Sequence, residues 1–412
     1  MERETTPVDN SPDSLTPPVK RNQPDGEVEH SSENGKKRRL KRVHFSNISS
    51  SPHTRVESVV TSGSLSPLCM ENVPKYTLKW TKEVLPCLRI KVDENKSTRS
   101  MYDVFIGGCL HLVSKNKILG IMSSFANRDR ENKIMIDSFQ HVFQKVFTLD
   151  SDSILSIKMN DLVELEEGLK NPLWMKSYAE QYVYSEKKFC KRILKDISRK
   201  LQKVIWQLMH MVRKCQNQDK EISEGMFQEL FVLFAEVFNL HIMAGSNVER
   251  YTLDTGNDNK YVAIPDGVLC HPTTEEERVC AVIEVKKFYQ DEKDTTTRAL
   301  QSRERTDKPH QIGSELLGQH VGQTLCGLPH SLFGNKGIFG ILVQGTKVTI
   351  STLEADDSYY RCLSSGYNLK TGATVTFSEQ YNILQKEGRI DCIQTFLDMK
   401  KLLELICEKE FP

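Results

Sequence analysis

The chain has 412 residues, and 56 lysines and arginines stand against 55 aspartates and glutamates for a formal net charge of +1. That balance excludes a polycation gripping nucleic acid through its overall charge; any polyanion contact must come from local patches. Eleven cysteines, odd in number and without a Cys-x-x-Cys pair, exclude a disulfide framework and a clustered zinc or iron–sulfur site, and fit reduced thiols of the cytosol or nucleus.

Residues 1–70 are rich in Ser, Pro, Asn and charge and read as a disordered tail. The start carries no apolar segment, so no secretory signal is expected, and no later stretch has the length and apolarity of a membrane span. Lys36, Lys37, Arg38, Arg39, Lys41 and Arg42 form a compact basic cluster. It reads as a nuclear localisation signal or nucleic-acid arm, giving a nuclear, or nuclear and cytoplasmic, protein; a merely solubilising run is the bland alternative. Arg42-Val43-His44-Phe45 resembles the docking peptide of protein phosphatase 1 partners, in which Val43 and Phe45 would fill apolar pockets.

Residues 71–220 read as a mixed and then helical region. Leu78-Lys79-Trp80 and Met101 to Val113 have strand character, and Asp137 to Phe147 suits a helix. From Trp174 to Lys214 the spacing of Phe189, Ile193, Ile197, Leu201, Val204, Ile205, Leu208 and Val212 predicts a long helix or a helical pair. Its other face carries Lys187, Lys188, Lys191, Arg192, Lys195, Arg199, Lys200 and Lys203: either a solvated face or a wall that tracks phosphates.

Residues 221–412 carry the chemistry. Ser223 to Leu240 predicts an amphipathic helix, with Glu229 and Glu236 seven apart on one side. Tyr261 to Ile264 is a short apolar run ended by Pro265-Asp266, and Arg278 to Val285 is a buried strand. On that strand Glu284 and Lys286 share a face while Val285 turns away. If the two runs pair as a hairpin, Asp266 lies beside them, and two carboxylates and an ammonium surround one point. The alternative is a surface pair on an edge strand. Asp294 to Lys308 is a polar loop offering Arg298, Arg303 or Arg305. Gly313 to Cys326 predicts a helix with Gln319 and Gln323 on one face. Gly337 to Val343 and Lys347 to Thr352 read as strands joined at Gln344-Gly345, Tyr367 to Phe377 as a hairpin, and Ile390 to Lys409 as a closing helix.

This order — helix with Glu, strand with Asp, strand with Glu-x-Lys, helix with Gln, strand pair — resembles the PD-(D/E)XK nuclease superfamily over roughly residues 221–353. Within it, the pattern is similar to the branch of phage-type exonucleases and eukaryotic Crinkler-type proteins. The resemblance implies an α/β fold with a central mixed sheet flanked by helices, a restriction-endonuclease-like core. It implies Mg²⁺ or Mn²⁺ held by Asp266, Glu284, the Val285 carbonyl and Glu229, with Glu236 as the substitute acid. Lys286 would orient or deprotonate the attacking water, and Gln319 and Gln323 would touch the water or the nucleic-acid backbone. The implied function is phosphodiester hydrolysis in nucleic acid, with DNA the first expected partner and RNA the alternative. The rival is a catalytically inactive platform of the same fold that binds nucleic acid or protein in the nucleus.

Overall fold

The computed structural model describes residues 73–96, 130–131, 133–218, 221–256, 259–270, 278–287 and 312–410. The tail with its basic cluster and the Arg42–Phe45 motif, the run Met101 to Val113, and the loop bearing Arg298, Arg303 and Arg305 lie outside the described residues.

A seven-stranded mixed sheet forms the middle of an α/β fold. Its strands are β1 (Ile90–Lys96), β2 (His241–Ala244), β5 (Gly267–Cys270), β6 (Val279–Lys286), β7 (Gly337–Gln344), β8 (Lys347–Glu354) and β9 (Ala373–Asn382), in the order β1-β9-β8-β7-β6-β5-β2. Strands β3 (Tyr251–Asp254) and β4 (Lys260–Ala263) pair with each other in a separate small sheet, and Val262 of β4 also bridges Tyr76. The centre is apolar on both faces: Val-Cys-Ala-Val-Ile-Glu-Val-Lys in β6 lies parallel to Gly-Ile-Phe-Gly-Ile-Leu-Val-Gln in β7. Strands buried on both sides lose the alternation of a half-exposed sheet, and a parallel pair needs a long crossover. Strands β7 and β8 meet in a tight hairpin, where Gly345 supplies a φ of +63°.

Helices cover the two faces. On one lies α6 (Ser314–Gly327), the crossover between β6 and β7, with the β3–β4 pair and the 3₁₀ turns Thr77–Lys79 and Lys82–Leu88. On the other lie α1 (133–141), α2 (Met159–Lys170), α4 (Tyr184–Gln218), α5 (Glu224–Val237) and α8 (Lys386–Glu410). Two short helices, α3 (Pro172–Ala179) and α7 (Asp357–Ser364), complete the set. Phe139, Phe143, Phe234, Phe238 and Phe396 interlock edge-to-face and stacked, so α1, α5 and α8 share one aromatic core. Residues on both sides of position 220, where the sequence suggests a boundary, belong to that core.

Several expectations are corrected. The apolar run 261–264 is β4 and does not pair with β6; the partner of β6 is β5, which starts after Asp266. Leu78-Lys79-Trp80 is 3₁₀ turn, not strand, and Trp80 is fully buried. The expected hairpin at 367–377 is one strand, β9, whose partners are β8 and β1. The helix expected over 137–147 begins earlier and ends in a π turn, Val142–Val146.

Candidate functional site

Pro265 ends β4, and Asp266 follows at the point where the chain turns into β5. The Asp266 backbone is pinned from three directions. Its amide donates to the Ile283 carbonyl at 3.1 Å. Its carbonyl accepts from Gln228 Nε2 at 2.5 Å and from the Gly245 amide at 3.3 Å. The side chain is therefore aimed at β6, and Oδ2 accepts from the Val285 amide at 2.7 Å.

Strand β6 presents Glu284 and Lys286 together. Glu284 is wholly buried. Its Oε1 accepts from Gln319 Nε2, and its Oε2 accepts from Gln323 Nε2 at 2.5 Å. The two glutamines stand one helical turn apart on α6, so both amides reach one carboxylate. Lys286 Nζ lies 2.5 Å from Glu284 Oε1, 3.1 Å from the Val285 carbonyl, 3.6 Å from Glu224 Oε1 and 3.8 Å from Asp266 Oδ2. Four oxygens, two from β6, one from the turn before β5 and one from α5, thus converge on a single cation. About a fifth of the Lys286 side chain and 29% of the Asp266 side chain remain exposed, so one side of the cluster opens to solvent.

The electrostatics follow from that packing. Burial, reinforced by the neighbouring Asp266 carboxylate, pushes Glu284 up to about 7 against the pull of Lys286 and Gln323. Burial alone would lower the Lys286 ammonium. The Glu284, Asp266 and Glu224 carboxylates outweigh it and hold that ammonium above its ordinary value. The lysine is thereby a fixed cation at neutral pH, suited to stabilising negative charge rather than to removing a proton.

The acid that α5 brings is Glu224. Glu229 is exposed, five residues on and turned about 140° away. Glu236 is committed to Lys203 of α4 at 3.0 Å. Glu224 and Gln228, four apart, both face the cluster, one toward Lys286 and the other toward the Asp266 backbone. Glu224 and Gln228 border one flank of the stripe of Met226, Phe227, Leu230, Phe231 and Phe234 and Glu229 borders the other, so the sequence pattern does not choose between them. Lys287 turns away, as alternation requires, and pairs with Glu221.

No family model, no curated protein and no solved structure matches this chain.

Among the described residues no group of three or more His, Cys, Asp or Glu side chains is drawn together as a metal cluster. The donors around Lys286 Nζ are nevertheless all hard oxygens, two of them the carboxylates of Asp266 and Glu284 and one the Val285 carbonyl. Magnesium is commonly held by one or two carboxylates, with water and substrate phosphate filling the other positions, so this donor set fits it. No helix among the described residues is long and apolar enough to cross a membrane.

Proposed function

We propose that this chain is a metal-dependent phosphodiester hydrolase of the PD-(D/E)XK kind. One observation carries the reading: Lys286 is held between Asp266 and Glu284 at the solvent-facing edge of a central strand. Buried carboxylates at such a spot need a compensating charge, and here the lysine that supplies it also reaches the surface. Asp266, Glu284 and the Val285 carbonyl would hold the ion. When bound, Mg²⁺ or Mn²⁺ supplies a Lewis acid for the phosphate oxygens and an activated water. Lys286 neutralises charge building on the phosphate, and Gln319 and Gln323 fix the rotamer of Glu284. Glu224 holds the Lys286 ammonium from the helix side.

A non-catalytic platform of the same fold is favoured by a different observation. Both oxygens of Glu284 are already hydrogen-bonded, and the residue has no exposed surface.

Labelled single- and double-stranded DNA and RNA, incubated with Mg²⁺ or Mn²⁺, separate the two. The hydrolase loses about 100-fold or more of its rate in both Asp266→Ala and Lys286→Ala. A folded wild-type protein that cuts none of the four substrates is the platform.

A further inference from the structure

Helix α4 is 35 residues long and carries ten lysines and arginines against two acids, Glu186 and Asp196, in a chain whose overall charge is only +1. Its apolar side, including Leu194, Ile197, Leu201, Val204, Ile205 and Leu208, is buried. The structure divides its cations into two sets. Lys187 pairs with Glu180, Lys200 with Asp196 and Asn239, and Lys203 with Glu236; these brace α4 against its neighbours. Lys188, Arg192, Lys195 and Arg199 are exposed and spaced four, three and four apart, so they form one line along the outer face. Lys188 and Lys195 have no carboxylate partner among the described residues, Arg192 lies over the Phe189 ring, and Arg199 shares Asp196 with Lys200.

Two aromatic side chains continue the line. Tyr184, four residues before Lys188, is 92% exposed, and Trp206, seven residues after Arg199, is 54% exposed. Trp206 Nε1 donates to Glu166 at 2.7 Å, which fixes the indole while leaving much of it in water. The indole thereby presents a flat apolar face, held in place, to a ring that could stack on it. Arg213, also exposed, extends the row to the end of α4 that packs on the first turn of α5, where Lys214 touches Met226 and Glu224 turns to Lys286.

We propose that this outer face of α4 is a nucleic-acid backbone-binding surface, with Lys188, Arg192 and Lys195 contacting phosphates and Trp206 stacking on a base. The occupant follows from charge complementarity and from the aromatic ring among the cations, since bases offer stacking faces that other polyanions lack. The inference rests on the phosphodiesterase reading, because the row leads toward the cluster that would cut.

The test uses the full chain in EDTA, so that binding is read without cleavage, with fluorescently labelled single-stranded DNA, duplex DNA and single-stranded RNA. A triple variant, Lys188→Ala, Arg192→Ala and Lys195→Ala, is compared with a control of equal charge change, Lys79→Ala, Lys82→Ala and Lys91→Ala, all exposed elsewhere. The expected result is at least tenfold weaker binding for the first triple and less than twofold for the control. The slope of log K against log salt falls by about 2 on single strands and about 3 on duplex, as the loss of three phosphate contacts requires. A double variant, Lys188→Arg with Lys195→Arg, keeps the affinity. Trp206→Ala weakens single-stranded binding more than duplex binding. Equal losses in both triples, no loss in either, no binding by wild type, or preference for phosphatidylserine vesicles over the oligonucleotides would each overturn the proposal. Failure here is distinct from failure of the catalytic reading: if the α4 triple binds in EDTA as the wild type does while Lys286→Ala still abolishes cleavage in Mg²⁺, the surface fails and the site reading stands.

Discussion

His320 illustrates how a single side chain on α6 can report on the fold. It is fully buried, its Nε2 lies 2.9 Å from Ser351 Oγ, and its Nδ1 has no hydrogen-bond partner. Burial holds the imidazole neutral and lowers it from 6.5 to about 4. The folded state therefore gains full benefit from the neutral ring above pH 6.5 and loses it as pH falls towards 4. Between pH 7.5 and 5 the loss is about 2 kcal/mol. Glu284, raised to about 7, acts in the opposite sense, since the fold is favoured by its protonation as pH falls from 7 towards 4.5. Urea denaturation at pH 7.5 and 5 of wild type and His320→Asn isolates the histidine. The variant should show a pH difference more favourable to the acid-side fold by about 2 kcal/mol; identical pH differences in the two proteins would refute the assignment.

Among the elements, α6 lies hard against the segment that precedes β1. A Cβ on Gly318 would meet the Thr81 backbone at 2.5 Å, and one on Gly322 would meet Trp80 at 2.7 Å. The helix lies against the 3₁₀ segments because both glycines face them, and that seating fixes Gln319 and Gln323 over Glu284. Gly318→Ala should destabilise by about 1–3 kcal/mol through overpacking. Gly168, inside α2 with nothing within 4 Å, is the opposite case, and Gly168→Ala should stabilise by roughly 0.4–1 kcal/mol. Thermal midpoints moving the same way in both variants would contradict this. The same scale explains what could be read from residues alone. Helices α4, α5, α6 and α8 were legible because their stripes run for several turns, and β7–β8 because two long apolar runs flank a glycine turn. Strand β4 was legible as a short apolar run ended by proline, but its partner was not, and β5 was not read at all, since four residues carry no periodicity and only tertiary pairing assigns each its partner. Strand β1, Ile-Lys-Val-Asp-Glu-Asn-Lys, is too polar to read as sheet. Helix α7 escaped notice although its cap was in view: Asp356 accepts from the amides of Ser358 and Tyr359. For the site, Glu284 and Lys286 could be grouped from strand alternation, whereas Asp266 reaches them from the turn before β5 and not through the expected hairpin of 261–264 with β6, and choosing Glu224 over Glu229 required knowing which flank of α5 meets β6.

For the molecule as a whole, distant segments are tied together near the C-terminal helix. Arg389 is wholly buried, and its guanidinium donates to the carbonyls of Ile383, Leu384, Phe147 and Leu149 at 2.7–3.2 Å, over the Phe147 ring. Burial lowers it to about 10, so it stays charged at neutral pH. Arg389→Leu strands four carbonyls and should lower stability by on the order of 3 kcal/mol or more, read as the urea midpoint with an unchanged m-value. A change below about 1 kcal/mol would show that the loops hold without it. Strand β1 tells the same story on the sheet, for its partner among the described residues is β9, nearly three hundred residues later. A chain emerging from the ribosome must therefore wait for β9 and α8 before β1 finds that neighbour or the loop near Phe147 finds Arg389. Until then the aromatic helices stand open to solvent, and nascent chains halted before residue 389 become natural clients for chaperones and proteases.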